Sequence, residues 1–180
     1  MEQTATGILN RAIRVARLDP AVYREIARDG GATMEAAIVV AVVAVASGIG
    51  ALTDSFGVVV LAIVGAFLGW VVFSAMTYFF GKNIFGTPTT QVDVETLMRT
   101  QGYARVPGIL AFFGFIPVLG WIAALVGGIW SLVTAIVAIR ETLLISTGRA
   151  IIVGIIAAIA SFIILFILGL VFDVNYTTIV

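Results

Sequence analysis

The sequence predicts an all-α protein, a polytopic membrane bundle of five transmembrane helices preceded by an N-terminal amphipathic helix at the interface. Three observations carry this. Hydrophobic residues make up 61% of the 180 and charged residues only 11%, with a mean hydropathy of +1.17. That is more apolar surface than one soluble domain of this length could hide from water, so the solvent must be lipid. The charge-free runs come in lengths that suit a hydrocarbon core of about 30 Å. Finally, all ten Lys and Arg residues fall in three segments that a single threading of the bilayer places on one side.

The elements follow in order. Residues 1–32 read as a cytosolic amphipathic arm. Ile8, Leu9, Ala12, Ile13, Val15 and Ala16 share a helical arc, and Arg11, Arg14 and Arg17 repeat at a spacing of three on the other face. These three arginines are the expected membrane-surface anchors, holding anionic headgroups. Asp19 before Pro20 has the form of a helix N-cap followed by proline in the first turn. A second amphipathic turn follows, with Val22, Tyr23, Ile26 and Ala27 opposite Arg24, Glu25, Arg28 and Asp29. Gly30-Gly31 ends it.

Residues 33–172 read as the five-span domain. The spans run over about 36–52, 56–80, 104–116, 118–139 and 150–172, with a short turn at Asp54 between the first two. Gly81 to Arg105 reads as an interfacial connection holding one short helix on which Val94, Leu97 and Met98 share a face. Val106 to Ile139 then carries no charge over 34 residues, about 51 Å as a single straight helix, and so must fold back. Pro117 and Gly120 supply the turn. The first leg, from Val106 to Ile116, is short for a crossing. It either borrows residues from Gly102-Tyr103-Ala104 or is re-entrant. Residues 173–180 form a short tail on the non-cytosolic side.

The charges set the direction. The arm holds five Arg, the connection after the second span holds Lys82, Arg99 and Arg105, and the loop before the last span holds Arg140 and Arg149. The remaining connections hold none, so the N-terminus is expected in the cytoplasm and the C-terminus outside. The expected location is the cell membrane or, in a eukaryotic cell, the endoplasmic reticulum or Golgi membrane.

No residue is assigned a catalytic, cofactor-binding or metal-binding role, and no cofactor is expected. The chain has no Cys and no His, which excludes thiolate nucleophiles, imidazole bases and the usual zinc ligands. Ten acidic and ten basic residues balance, which argues against nucleic acid as a partner. Arg99, Arg105, Arg140 and Glu141 flank the two ends of the hairpin and are expected to meet as an interfacial ion-pair cluster, with Glu141 pairing Arg105 or Arg99. Small residues recur at four-residue spacing, Gly65 with Gly69 and Ala124 with Gly128, and are expected to pack helices within the bundle rather than between copies, although an oligomer is allowed. Trp70 and Trp130 fall near mid-span and read as packing residues, whereas Trp121 falls at an interface.

The run Leu97-Met98-Arg99-Thr100-Gln101-Gly102-Tyr103-Ala104-Arg105-Val106-Pro107-Gly108, followed by Ile116-Pro117-Val118-Leu119-Gly120-Trp121 and by Ile129-Trp130 through Arg140-Glu141, resembles the Yip-one domain family of small multi-span membrane proteins, in its prokaryotic-type branch. The likeness covers roughly Met34 to Val171. It implies a five-helix membrane domain with a cytosolic N-terminus. Eukaryotic relatives are associated with Rab-type GTPases and with traffic between endoplasmic reticulum and Golgi. This chain departs from them in its short N-terminal arm. The expected function is a non-enzymatic membrane scaffold or adaptor that contacts the lipid bilayer and a protein partner at the cytosolic face. A small permease or channel is the alternative.

Overall fold

The computed structural model describes residues 2–51, 56–88 and 90–171. The expected turn at Asp54 and the tail 173–180 lie outside the described residues. Seven α-helices and one 3-10 helix account for the fold among the described residues: α1 Glu2–Ala16, α2 Pro20–Arg28, α3 Ala32–Gly50, α4 Phe56–Asn83, α5 Val94–Tyr103, the 3-10 helix Val106–Phe115, α6 Leu119–Leu143 and α7 Thr147–Val171. Four of the helices (α3, α4, α6 and α7) are long and apolar enough to cross a bilayer.

Local chemistry sets most of the boundaries. Leu18 takes a left-handed φ of 60° and reverses the chain after α1. Asp19 then caps α2, accepting from the Ala21 N–H at 2.9 Å, and Pro20 opens the helix where its missing N–H costs nothing. Asp93 does the same for α5, accepting from the Thr96 N–H at 2.7 Å. That helix stops at Tyr103 because Pro107 has no N–H to give its carbonyl. The chain tightens instead, and Gly108 N–H bonds the Arg105 carbonyl at 2.8 Å to start the 3-10 helix.

The first leg of the hairpin is therefore composite. Ten α-helical residues rising about 1.5 Å each precede ten in the 3-10 helix rising about 2.0 Å each, together about 35 Å of helix length. Contacts along it follow α3 in parallel, with Gly102 on Ala36, Gly108 on Val43 and Ala111 on Gly50. They follow α6 in the opposite direction, through Ala104 with Thr134, Gly127 with Pro107 and Gly120 with Gly114. α5 is thus enclosed by α2, α3, α4 and α6. The expected interfacial connection is therefore covered by protein along α5. The amphipathic pattern of Val94, Leu97 and Met98 is real, but the apolar face meets protein on several sides, and Leu97, Thr100, Gln101 and Tyr103 are buried.

The main core joins the arm to the bundle. Val15, Val22, Tyr23 and Ile26 are fully buried together with Ala32, Ala36 and Val40 of α3, Trp70 of α4, Tyr103 and Ala138. Trp70 is held further by its indole N–H, which donates to the Met98 carbonyl at 2.8 Å. A smaller cluster of Leu97, Ile139, Leu143, Ala150 and Val153 ties α5 to α6 and α7. At the far end the backbones of α3, the 3-10 helix and α6 approach so closely that a Cβ on Gly50, Gly114 or Gly120 would collide with a neighbouring carbonyl. The chain turns there through Pro117 and Val118, whose φ is 65°.

Candidate functional site

The polar groups of this protein concentrate where the arm meets α3, α5 and α6. Arg11 on α1 is the hub. Its Nε donates to Glu25 at 3.1 Å, its Nη2 to Asp29 at 2.7 Å and its Nη1 to Glu35 at 2.7 Å. Arg14, one turn further on, donates to Glu25 at 2.7 Å and to Asp19 at 2.8 Å. The Tyr103 hydroxyl donates to Glu35 at 2.6 Å. One guanidinium thus joins α1 to α2 and α3, and through Glu35 to α5. A second tie runs from Arg24 on α2 to Glu141 on α6 at 2.5 Å, and Arg140 donates to the other oxygen of Glu141 at 2.7 Å. Trp130 of α6 completes the attachment, donating to the Ala16 carbonyl at 3.0 Å.

The electrostatics follow from the geometry. Burial works against the charge on Arg11, but the hydrogen bonds to Asp29, Glu35 and Glu25 outweigh it and hold the proton more firmly than usual. The Arg14 bond pulls Glu25 below the ordinary carboxylate range, and the Arg11 bond does the same for Asp29. Burial alone pushes the Tyr23 phenol up, and its hydroxyl has no partner among the described residues. That oxygen sits in the core where the arm docks.

The residues singled out from the sequence divide clearly. Of the expected anchors, Arg11 and Arg14 face carboxylates of the protein itself, and only Arg17 is exposed. Of the expected cluster Arg99, Arg105, Arg140 and Glu141, only the last two meet. Glu141 takes Arg24 in place of Arg99 or Arg105, because α2 lies across the end of α6. Arg99 turns back on its own helix start, donating to Thr96 at 3.1 Å and lying 4.0 Å from Asp93. Arg105 reaches instead toward α4 and α7. Pro117 and Gly120 sit at the opposite end, in the turn. Gly65, Ala124 and Gly128 are exposed, and nothing lies within 4 Å of a Cβ placed on Gly65 or Gly128. Within α6 the inward row is one residue away, at Gly120, Ala123 and Gly127. A Cβ placed on Gly69 would lie 3.9 Å from the side chains of Arg105 and Leu165.

Glu25, Asp29, Glu35, Arg24 and Tyr103 did not stand out in the sequence. A signal was present: α1 carries Arg11 and Arg14 at i and i+3, and α2 carries Glu25 and Asp29 at i and i+4. Complementary stripes on consecutive helices joined by the Leu18-Asp19 turn describe a helical hairpin.

The family model described as the Yip1 domain matches residues 18–169. The chain belongs to the Yip1 domain family. No curated protein and no solved structure matches it. The match to the Yip1 domain starts at Leu18, so it takes in the carboxylates Glu25, Asp29 and Glu35 and the hydroxyl of Tyr103 but leaves out Arg11 and Arg14. The Yip1 bundle thus supplies the acceptors, and the segment ahead of it supplies the hub cation. Among the described residues no group of acidic side chains is arranged to hold a metal ion.

Proposed function

We propose that this Yip1-domain membrane protein is a non-enzymatic scaffold whose working surface is the arm clamped across the cytosolic end of the bundle. The observation that carries the proposal is the Arg11 hub with its three carboxylates. A flexible tether needs no such attachment, whereas a docking platform needs its parts fixed relative to one another. The clamp leaves Arg17 and Arg28 exposed for a partner or for anionic headgroups, and Leu9 and Ile13 exposed on α1 for the bilayer. In this reading α1 lies in the interface with its basic stripe turned toward α2.

The proposal includes five crossings, with the composite leg of α5 and the 3-10 helix as the third, an N-terminus in the cytoplasm and a C-terminus outside. The distribution of Lys and Arg supports it, since none of them then falls in a connection on the outer side. A single cysteine at Val118, a position 75% exposed, should react with an impermeant maleimide from outside intact cells. Labelling only after the cells are opened would remove the third crossing.

Loss of co-purifying cytosolic proteins on deleting residues 2–30 is the expected mark of the scaffold. Solute or ion flux through the purified protein in liposomes would replace the scaffold with the permease. The permease reading has one observation in its favour, the Ser74 and Thr77 hydroxyls, buried without a hydrogen-bond partner among the described residues. Against it, the Thr100 and Thr142 hydroxyls bond each other and Thr134 bonds the Ala104 carbonyl, which uses up the polar groups a permeant solute would need.

A further inference from the structure

Arg105 lies at the joint between α5 and the 3-10 helix, about half-way along the composite leg. Its side chain reaches the middle of α4. Arg105 Nη2 lies 3.9 Å from the place a Cβ on Gly69 would occupy, and Leu165 Cδ1 of α7 lies at the same distance. The guanidinium therefore enters the seam between α4 and α7. It makes no ion pair or side-chain hydrogen bond with any described residue. The contrast with its neighbours is sharp, because Arg99 and Arg140 both meet a carboxylate.

A guanidinium cannot shed its proton under conditions a protein survives. An isolated charge held among apolar side chains is costly, and within a bilayer such groups mark the places where a counter-charge or polar ligand is held. The Arg105 side chain is only half-buried, and Leu68 and Phe166, adjacent in sequence to Gly69 and Leu165, are exposed. Gly69, Leu165 and Arg105 are themselves partly exposed, so the seam is partly open at the surface of two helices long and apolar enough to cross a bilayer. Gly65, one turn from Gly69, has open space where its side chain would be, so nothing on α4 fills that position.

We propose that Arg105 binds the phosphate of an anionic lipid admitted from the bilayer into the seam between α4 and α7. The planar donor fork of arginine matches two phosphate oxygens at once, and a site between two membrane-length apolar helices favours a phosphate carried on acyl chains.

The test uses the full-length chain equilibrated in an equal mixture of phosphatidylglycerol and phosphatidylcholine with identical acyl chains, with retained lipid counted by native mass spectrometry. The wild type should retain phosphatidylglycerol by about tenfold over phosphatidylcholine, as a charge-assisted bond would give. Arg105→Met should retain both equally. Gly69→Leu, which fills the seam while keeping the charge, should also lose the preference. The variant Arg149→Gln should keep it, since that side chain lies on the exposed surface and is not among the arm arginines assigned to headgroups.

Equal retention of the two lipids by the wild type would overturn the proposal, as would an undiminished preference in Arg105→Met. So would loss of the preference in Arg149→Gln, a comparison that still decides if Arg105→Met fails to fold. Displacement of phosphatidylglycerol by inorganic phosphate would assign the site to a free anion and overturn the lipid as its source.

Discussion

Tyr103 and Arg11 meet on a single atom. The phenol donates to Glu35 Oε2 at 2.6 Å and the guanidinium donates to the same oxygen at 2.7 Å. That oxygen joins the arm, the first long helix and the composite leg, through residues 24 and 68 positions from Glu35. Glu35 is correspondingly enclosed, with its side chain 17% exposed.

Replacing Glu35 by Gln keeps the shape and removes the charge. Arg11 loses its least exposed partner, which should cost about 1–3 kcal/mol and lower the thermal midpoint in detergent by several degrees. Tyr103→Phe should cost about 1 kcal/mol. The two losses should not add in the double variant, because both act on one oxygen. Strict additivity, read by tryptophan fluorescence, would show the pair to be uncoupled.

Acid should release the arm. Glu25, Asp29 and Asp19 are all held below their ordinary range by arginine bonds, so their folded forms resist protonation more than the unfolded chain does. The stability they contribute is complete above the ordinary carboxylate range and is lost as the pH falls through about 4 and below. Backbone amides of α1 and α2 should be protected from hydrogen exchange at pH 7 and lose protection in that window, ahead of those in α6. An arm that stayed protected at pH 3 would owe its attachment to the buried Val15, Val22, Tyr23 and Ile26 alone.

Val118 carries a φ of 65° with a β-branched side chain, exposed in the hairpin turn. Glycine reaches that region without the clash between Cβ and the carbonyl. Val118→Gly should therefore stabilise the protein by about 1 kcal/mol in denaturant titrations, and the opposite sign would mean that the side chain makes contacts worth more than the strain.

Glycine substitutions should separate the two glycine rows. A Cβ on Gly114 would come within 2.7 Å of the Gly50 carbonyl oxygen, and one on Gly120 within 2.5 Å of the Gly114 oxygen. Neither oxygen belongs to a flexible side chain, so Gly114→Ala and Gly120→Ala should each cost more than about 2 kcal/mol. Gly65→Ala and Gly128→Ala meet open space and should be neutral or stabilising by up to about 1 kcal/mol. Thermal midpoints of the four variants in one detergent would rank them. A large loss at Gly65 or Gly128 would place a second molecule against that face.

The arm shows why some of this was legible in the sequence and some was not. The cap at Asp19, the proline that opens α2 and the fold-back at Pro117 act over a few residues, so local sequence is enough to place them. The alternation in α2 correctly marks Val22, Tyr23 and Ile26 as one buried face. It could not say whether lipid or protein covers that face, because both solvents are equally apolar.

Amino-acid order by itself determined the helical class, the lipid solvent, the long apolar helices and the return of the chain at Pro117, since these rest on composition and on bonds between near neighbours. Tertiary structure alone decided that α5 belongs inside the bundle, that Arg11 meets three carboxylates and that Arg105 is left facing the α4–α7 seam. Charge pairing across such separations depends on which helix lies beside which, and an apolar helix carries little in its periodicity to select a neighbour when lipid on one side and protein on the other attract it alike.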